Sequence, residues 1–467
     1  MEQIQNLLKR RIHMEQQELS RGLKNRHVQL IAIGGAIGTG LFLGAGKSIH
    51  LAGPSILFAY MITGALLFLV MRALGELLVS NLGYHSFVDF VQEYLGNFAA
   101  FLTGWTYWFC WVSIAMADIT AVGVYTQYWF PHIQPWLPGL IVLVILLLMN
   151  LTTVKLFGEM EFWFALIKVI AILALIVVGI FMIVKGFSTD SGPASFTNLW
   201  SHGGWFPNGV NGFILSFQMV VFAFVGIELV GLTAGETADP ERVIPKAINN
   251  IPIRIIIFYL GALIVIMSIY PWNAIKASES PFVQVFTALG IAAAAGIVNF
   301  VVLTSAASAC NSAVFSTSRM LYGLSKEKNG PESFTKLTKR QVPANALYFS
   351  TVIILIAVAL NYIIPKADVV FTLVTSISTV CFLFIWGVTL ISHILYRKRR
   401  PDLAAKVKFR MPLYPVSNYV VLAFLVFILV VLGLAKDTRI ALFFTPVWFI
   451  VLAIAYKIKT AGIAKAK

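Results

Sequence analysis

The chain has 467 residues, of which 59% are hydrophobic and 12% charged, with a formal net charge of +15. An ordinary soluble domain is roughly 45–50% apolar and about 25% charged, and one soluble core could not hide this much apolar surface. The apolar residues fall in blocks of about twenty, the length that crosses a hydrocarbon layer of about 30 Å, so the solvent they imply is a lipid bilayer.

A polar stretch, residues 1–27, comes first. It argues against a cleaved signal peptide, because no small-residue cleavage site follows a short apolar core, and it reads as a cytoplasmic tail. About twelve apolar blocks follow, near 30–49, 54–74, 98–130, 136–154, 162–185, 209–232, 253–270, 282–320, 346–364, 369–395, 419–434 and 440–458. The expected fold is an all-α membrane protein with twelve transmembrane helices.

The first block carries Gly34, Gly35, Gly38, Gly40, Gly44 and Gly46. A continuous helix loses about 1 kcal/mol per glycine relative to alanine, so this segment reads as a broken helix. Close helix packing through small residues such as Gly40 and Gly44 is the competing reading. The string from Gly40 to Ser48 looks like a phosphate loop or a dinucleotide fingerprint, but Leu41 and Leu43 stand where those motifs need glycine.

Between the second and third blocks, Phe87, Val88, Phe90, Val91, Tyr94 and Leu95 alternate with His85, Asp89, Gln92 and Glu93 at helical spacing. That pattern predicts a short interfacial helix. The third block holds Trp105, Trp108 and Trp111, and the tenth holds Trp386. These are expected chiefly as lipid-facing or interfacial aromatics.

The sixth block reads Phe222-Ala223-Phe224-Val225-Gly226-Ile227-Glu228-Leu229-Val230-Gly231, with a carboxylate between two glycines. Blocks one and six are five apart, the offset of a five-plus-five inverted repeat whose interrupted helices meet at the midplane. The organisation expected is a cytoplasmic tail over 1–27, one transporter domain over 28–458 and a cytoplasmic tail over 459–467. Within the domain, repeat one covers about 28–186, repeat two about 209–396 and two accessory helices about 413–458.

Unwound backbone survives in hydrocarbon only where it lines a cavity or is buried in protein, and a ligand can satisfy it. At the first break the amides near Thr39, Gly40 and Leu41 suit a carboxylate. At the second, carbonyls near Phe222, Ala223 and Phe224 suit a cation. The two together fit an α-amino acid zwitterion better than a sugar or an inorganic ion. Phe222 and Phe224 are also candidate gates over the substrate.

Asp118, Lys168 and Glu228 lie deepest in the apolar blocks, where an ionisable group costs about 3 kcal/mol or more. Glu228 could carry a proton, or stay protonated and bond the loose backbone. Lys168 could stand in for a sodium ion, or pair with an internal acid. Asp118 could pair with Lys168 or bond a neighbouring helix.

If the N-terminus is cytoplasmic, the even-numbered connections and both tails hold about 28 of the 35 Lys and Arg residues and the opposite loops about six. The run Arg397-Lys398-Arg399-Arg400 is then a topology anchor at a lipid surface, and nucleic acid is not a partner. The cysteines, Cys110, Cys310 and Cys381, lie inside apolar blocks without metal or disulfide spacing, as small buried residues. No cofactor, metal or catalytic activity is implied.

The chain resembles the amino acid permeases of the amino acid–polyamine–organocation superfamily. The matching stretches run from Leu23 to Phe42, from Phe224 to Glu228 and from Ala234 to Pro240, followed by Ile244-Pro245-Lys246-Ala247. The resemblance implies the twelve-helix repeat and proton-coupled uptake. It further implies that Ile37, Thr39 and Gly40 bind the substrate carboxylate, that Phe222, Ala223 and Val225 bind the ammonium, and that Lys168 replaces sodium; Gly38 and Phe224 complete the expected substrate-binding positions. Related permeases carry an acid where Asp118 stands.

Residues 104–111 and 301–308 are similar to the branch of that family carrying D-serine, D-alanine and glycine. The expectation is a small neutral amino acid imported across the cytoplasmic membrane with a proton. The alternatives are another amino acid, or an uncoupled channel or receptor.

Overall fold

The structure is a computed structural model and describes residues 37–84, 86–152, 154–229, 239–288, 292–364 and 366–465. The N-terminal tail, the first half of the broken helix through Ala36, His85 and the stretch 230–238 lie outside the described residues. Among the described residues, apart from one two-stranded hairpin, β1 (Ser188–Thr189) with β2 (Gly192–Pro193), the regular elements are helices.

The chain begins with α1 (Thr39–Phe42) and α2 (Gly44–Ala52), reverses at Gly53–Ser55 and returns as α3 (Ile56–Ser80). Next comes α4 (Phe87–Leu95), the expected short amphipathic helix. Its start is a capping box: Ser86 Oγ accepts from Val88 N at 3.2 Å, and Asp89 Oδ2 accepts from Ser86 N at 2.9 Å. Val88, Phe90, Val91 and Tyr94 form its buried face.

The following helices are α5 (Asn97–Thr126), α6 (Trp136–Asn150), α7 (Val154–Lys185) and α8 (Gly209–Ala223). Beyond the second break come α9 (Pro240–Asn249), α10 (Ile251–Arg254), a π-helical stretch (Ile255–Gly261) and α11 (Ala262–Ile269). The eighth apolar block is two helices, α12 (Pro281–Ala288) and α13 (Ala292–Lys326), rather than one. The chain closes with α14 (Ala344–Ile363), α15 (Ala367–Arg399), the short α16 (Pro401–Lys406), α17 (Val416–Leu434) and α18 (Ile440–Lys465).

Among the described residues, nine helices are long and apolar enough to cross a membrane, counting Gly44–Ser80 as one although it reverses at Gly53. Two further apolar helices, α6 and α8, have 15 residues each, about 22 Å of helix. Their neighbours decide which helices are inner and which outer. In α5, 83% of the apolar window is buried inside the protein and in α15 78%, against 33% in α7 and 17% in α18.

Thus α5 is the central post. It packs along α13, α14 and α15, while α2 and α1 lie against α8, so the two interrupted segments are neighbours. The outer helices turn residues such as Val177, Phe181 and Phe443 outward, each more than 60% exposed, as a lipid-facing surface requires.

At the end carrying the basic run, a buried ionic cluster ties α3 to α15 and to the chain before α17. Glu76, wholly buried, lies 2.6 Å from Arg397 Nε and 3.0 Å from His393 Nε2, and its Oε2 accepts from Met411 N at 2.7 Å. Asn418 Nδ2 lies 3.1 Å from the other ring nitrogen of His393.

The tryptophans correct an expectation. Trp108, Trp111 and Trp386 are at most 3% exposed, and Trp108 Nε1 donates to Ser350 Oγ at 3.0 Å. Periodicity could not separate a lipid-facing stripe from an inner one on α5, because nearly the whole helix is surrounded by protein. Trp105 is half-buried and donates to the carbonyl of Asn329 at 2.9 Å.

Candidate functional site

Both breaks have a local cause. Gly38, the residue before α1, is extended, and no side chain caps the helix start. Among the described residues the first amides there to find a backbone acceptor are Leu41 and Phe42, both on Gly38 O at 3.1 and 3.2 Å. Helix resumes almost continuously into α2, so the positive end of that dipole points back at Gly38 and Thr39.

At the second break α8 stops at Ala223. The chain then tightens into three-residue turns, Phe224 N to Val221 O and Val225 N to Phe222 O, both at 3.1 Å, and Gly226 takes φ +94°. That left-handed conformation suits glycine, and it redirects the chain before Glu228.

Gly38, Thr39 and Gly40 from the first break and Phe222, Ala223, Val225 and Gly226 from the second line one cavity of about 30 Å³. Its other walls are Trp111, Ile114 and Asp118 of α5, Leu229, and Ala309 and Ser312 of α13. Thr39 Oγ1 donates to Asp118 Oδ1 at 2.8 Å, which brings a carboxylate of the central helix to the first break. Asp118 Oδ2 is buried without a hydrogen-bond partner among the described residues, and Ser312 of the cavity wall faces the Glu161 carboxylate.

Four expected site residues stand off this cavity. Ile37 is buried beside it but is not part of its lining. The Phe224 ring stacks on Tyr259, 5.0 Å between centroids and 8° between planes, and leans on Tyr60, whereas Phe222 lines the cavity and meets Phe371 edge-on at 6.2 Å. Of the two gate candidates, Phe222 has the position. Glu228 lies behind the break, where Tyr107 Oη donates to its Oε1 at 3.4 Å. Lys168, 1% exposed, interacts electrostatically with Glu161 and Asp118 and reaches the cavity through the latter.

The carbonyl of Ala223 accepts a 3.0 Å hydrogen bond from Tyr259 Oη. Tyr259 sits in the π-helical stretch, an insertion that re-aims side chains. One lone pair of that carbonyl is therefore already used, and the other remains for a ligand.

Helices α5 and α13 also wall a second, larger cavity of about 390 Å³. It is lined by Tyr125, Gln127, Tyr128, Asn299, Ser280 and the carboxylates Glu279 and Asp368. Tyr125 is seven residues beyond Asp118, about 10 Å along the helix, so the two cavities lie in series. Glu279 is held 2.8 Å from Lys276, whose ammonium pKa that hydrogen bond raises above its ordinary value.

Sequence reasoning missed Glu161, Glu76 and His393, all at most 1% exposed. A polar residue flanked by apolar ones, as in Leu74-Gly75-Glu76-Leu77-Leu78, was the available signal. All three lie near the ends of apolar blocks, where a charge at headgroup level is ordinary and draws no attention.

Residues 27–462 match the amino acid permease family. The chain is 74% identical to the transporter YdgF of Bacillus subtilis (strain 168), over 96% of this chain and 98% of that protein. It is 70% identical to the amino-acid permease AapA of the same organism, over 97% and 98%. It is 56% identical to the D-serine/D-alanine/glycine transporter of Escherichia coli (strain K12), over 94% of each.

Proposed function

Because the chain belongs to the amino acid permease family, we propose that it imports a small neutral amino acid of the D-alanine, D-serine or glycine class by proton symport with alternating access. The observation that carries this reading is the single cavity bracketed by both breaks. Amides at the start of α1 suit the substrate carboxylate, and carbonyls at the end of α8 suit its ammonium.

The walls of the cavity support the substrate class. Its volume of about 30 Å³ is less than that of any amino acid, and with Trp111, Ile114 and Phe222 around it a small substrate asks for the least widening. The name of the relative at 56% identity gives the same class of small substrate. Coupling is supported by Asp118, a buried carboxylate bonded to Thr39 at the substrate break, with Lys168 acting behind it. Glu228 is the less direct of the three candidates, since it meets Tyr107 rather than the cavity.

In the cell membrane both termini face the cytoplasm, the orientation favoured by the basic run Arg397-Lys398-Arg399-Arg400. The larger cavity then opens outward, and its carboxylates Glu279 and Asp368 favour the approach of an ammonium group.

The test is uptake of labelled glycine, D-alanine and D-serine into proteoliposomes with and without an inward proton gradient. Symport predicts accumulation above the external concentration only with the gradient. Equilibration independent of the gradient would leave a facilitator or channel.

A further inference from the structure

We infer that Glu161 is the fixed counter-ion that makes the Lys168–Asp118 pair take up one proton per transport cycle. This rests on the symport reading above and gives it a stoichiometry. Glu161 and Lys168 are seven residues apart on α7, two helical turns less about 20°, so they share a face. Both are 1% exposed. That face meets α13, where Ser308 Oγ donates to Glu161 Oε1 at 2.7 Å, and Asn311 and Ser312 surround the same carboxylate.

The Lys168 ammonium interacts with Glu161 and with Asp118, so one cation faces two acids. Their charges are +1, −1 and −1, a net −1 inside protein and hydrocarbon, where an uncompensated charge costs several kcal/mol. A single proton brings the cluster to neutrality.

Geometry selects the acid that takes it. Asp118 Oδ2 and Glu161 Oε2 are both without a hydrogen-bond partner among the described residues, but only Asp118 lines the substrate cavity, whereas Glu161 is not part of that lining and its Oε1 is held by Ser308 of α13. The proton comes from water in the cavity and forms an O–H bond at Asp118 Oδ2. It returns to water when the cavity opens to the other side, while Lys168 and Glu161 keep their charges. The other titratable groups brought to this cluster are Tyr125 of α5 and Cys310 of α13.

Without Glu161 the remaining pair is neutral and has no electrostatic reason to bind a proton. Wild type and Glu161→Gln are compared in proteoliposomes, by glycine accumulation under an inward gradient of one pH unit and by counterflow against preloaded unlabelled glycine. One proton per substrate gives wild type an accumulation ratio of about ten. The ratio for Glu161→Gln is expected to fall to about one with counterflow retained, and an unchanged ratio overturns the proposal.

If counterflow is lost as well, Glu161→Asp decides. Recovery of the proton-driven ratio supports the counter-charge, and failure to recover assigns Glu161 to packing and overturns it. Wild type that accumulates nothing under the gradient sinks the symport reading itself, and this inference with it.

Discussion

Gly40 and Ala223 meet with no room for a side chain: a β-carbon on Gly40 would stand 2.7 Å from Ala223 Cα and 3.1 Å from Ala223 N. This backbone-to-backbone seam holds the two interrupted helices together and brings their free ends to one cavity. Because the obstructing atoms are main chain, no rotamer change relieves the clash. Gly40→Ala should therefore separate the breaks and lower uptake by at least about tenfold, in line with a cost above about 1.4 kcal/mol. Gly323→Ala, where nothing lies within 4 Å, is the neutral control. Labelled glycine uptake at matched protein levels reads both.

The Thr39–Asp118 hydrogen bond predicts a contrast between two conservative changes. Thr39→Ser keeps the hydroxyl and should keep most transport. Thr39→Val keeps the shape and removes the donor, leaving Asp118 Oδ1 unpaired at a cost of about 1–3 kcal/mol. Equal kcat/KM for the two variants would show that the methyl contacts, rather than the bond, matter at this position.

Asp118 and Glu228 should separate in the same way. Asp118→Asn removes the ionisable group beside the cavity and is expected to abolish the effect of a proton gradient on accumulation. Glu228→Gln keeps an acceptor for Tyr107 and leaves the cavity lining unchanged, so gradient-driven accumulation should persist within about twofold. The reverse outcome would move the coupling group from α5 to the second break.

The sequence disclosed the architecture because glycine clusters and a lone carboxylate interrupt otherwise uniform apolar blocks. Gly38 and Gly226 mark places where a helix fails, whereas Gly40 lies inside α1 and serves the close packing that was the competing reading. What stayed hidden depends on helix rotation. On α5 the polar and aromatic residues face protein on every side, so neither the burial of Trp111 nor its place at the cavity follows from hydropathy. Phe222 and Phe224, two residues apart, were equal gate candidates, because hydropathy does not show that the three-residue turns around Ala223 leave Phe222 on the cavity and carry Phe224 against Tyr259. Glu161 needed its partner Ser308, 147 positions away, to declare itself.

The Glu76 cluster predicts a stability effect distinct from transport chemistry. Glu76→Ala leaves Arg397 and the amide of Met411 without their acceptor, and breaking a buried ion pair in this way costs about 3–5 kcal/mol. The variant should unfold at lower temperature in detergent, while the folded fraction retains its KM for glycine. A changed KM with unchanged thermal stability would contradict a purely structural role.

Side-chain selectivity is where the small cavity makes its sharpest claim. Ile114 and Trp111 come from the rigid, fully packed α5, so shortening one of them enlarges the space without moving the two breaks. Ile114→Ala removes three carbons from the wall. Each methylene of added substrate is worth about 1–3 kcal/mol where it fits, so the variant should raise kcat/KM for valine relative to glycine by at least about tenfold. Competition assays with unlabelled valine against labelled glycine measure this ratio directly. If the ratio stays at its wild-type value while glycine transport is intact, the substrate side chain does not point at Ile114, and selectivity has to be sought along Phe222 and Ala309 instead.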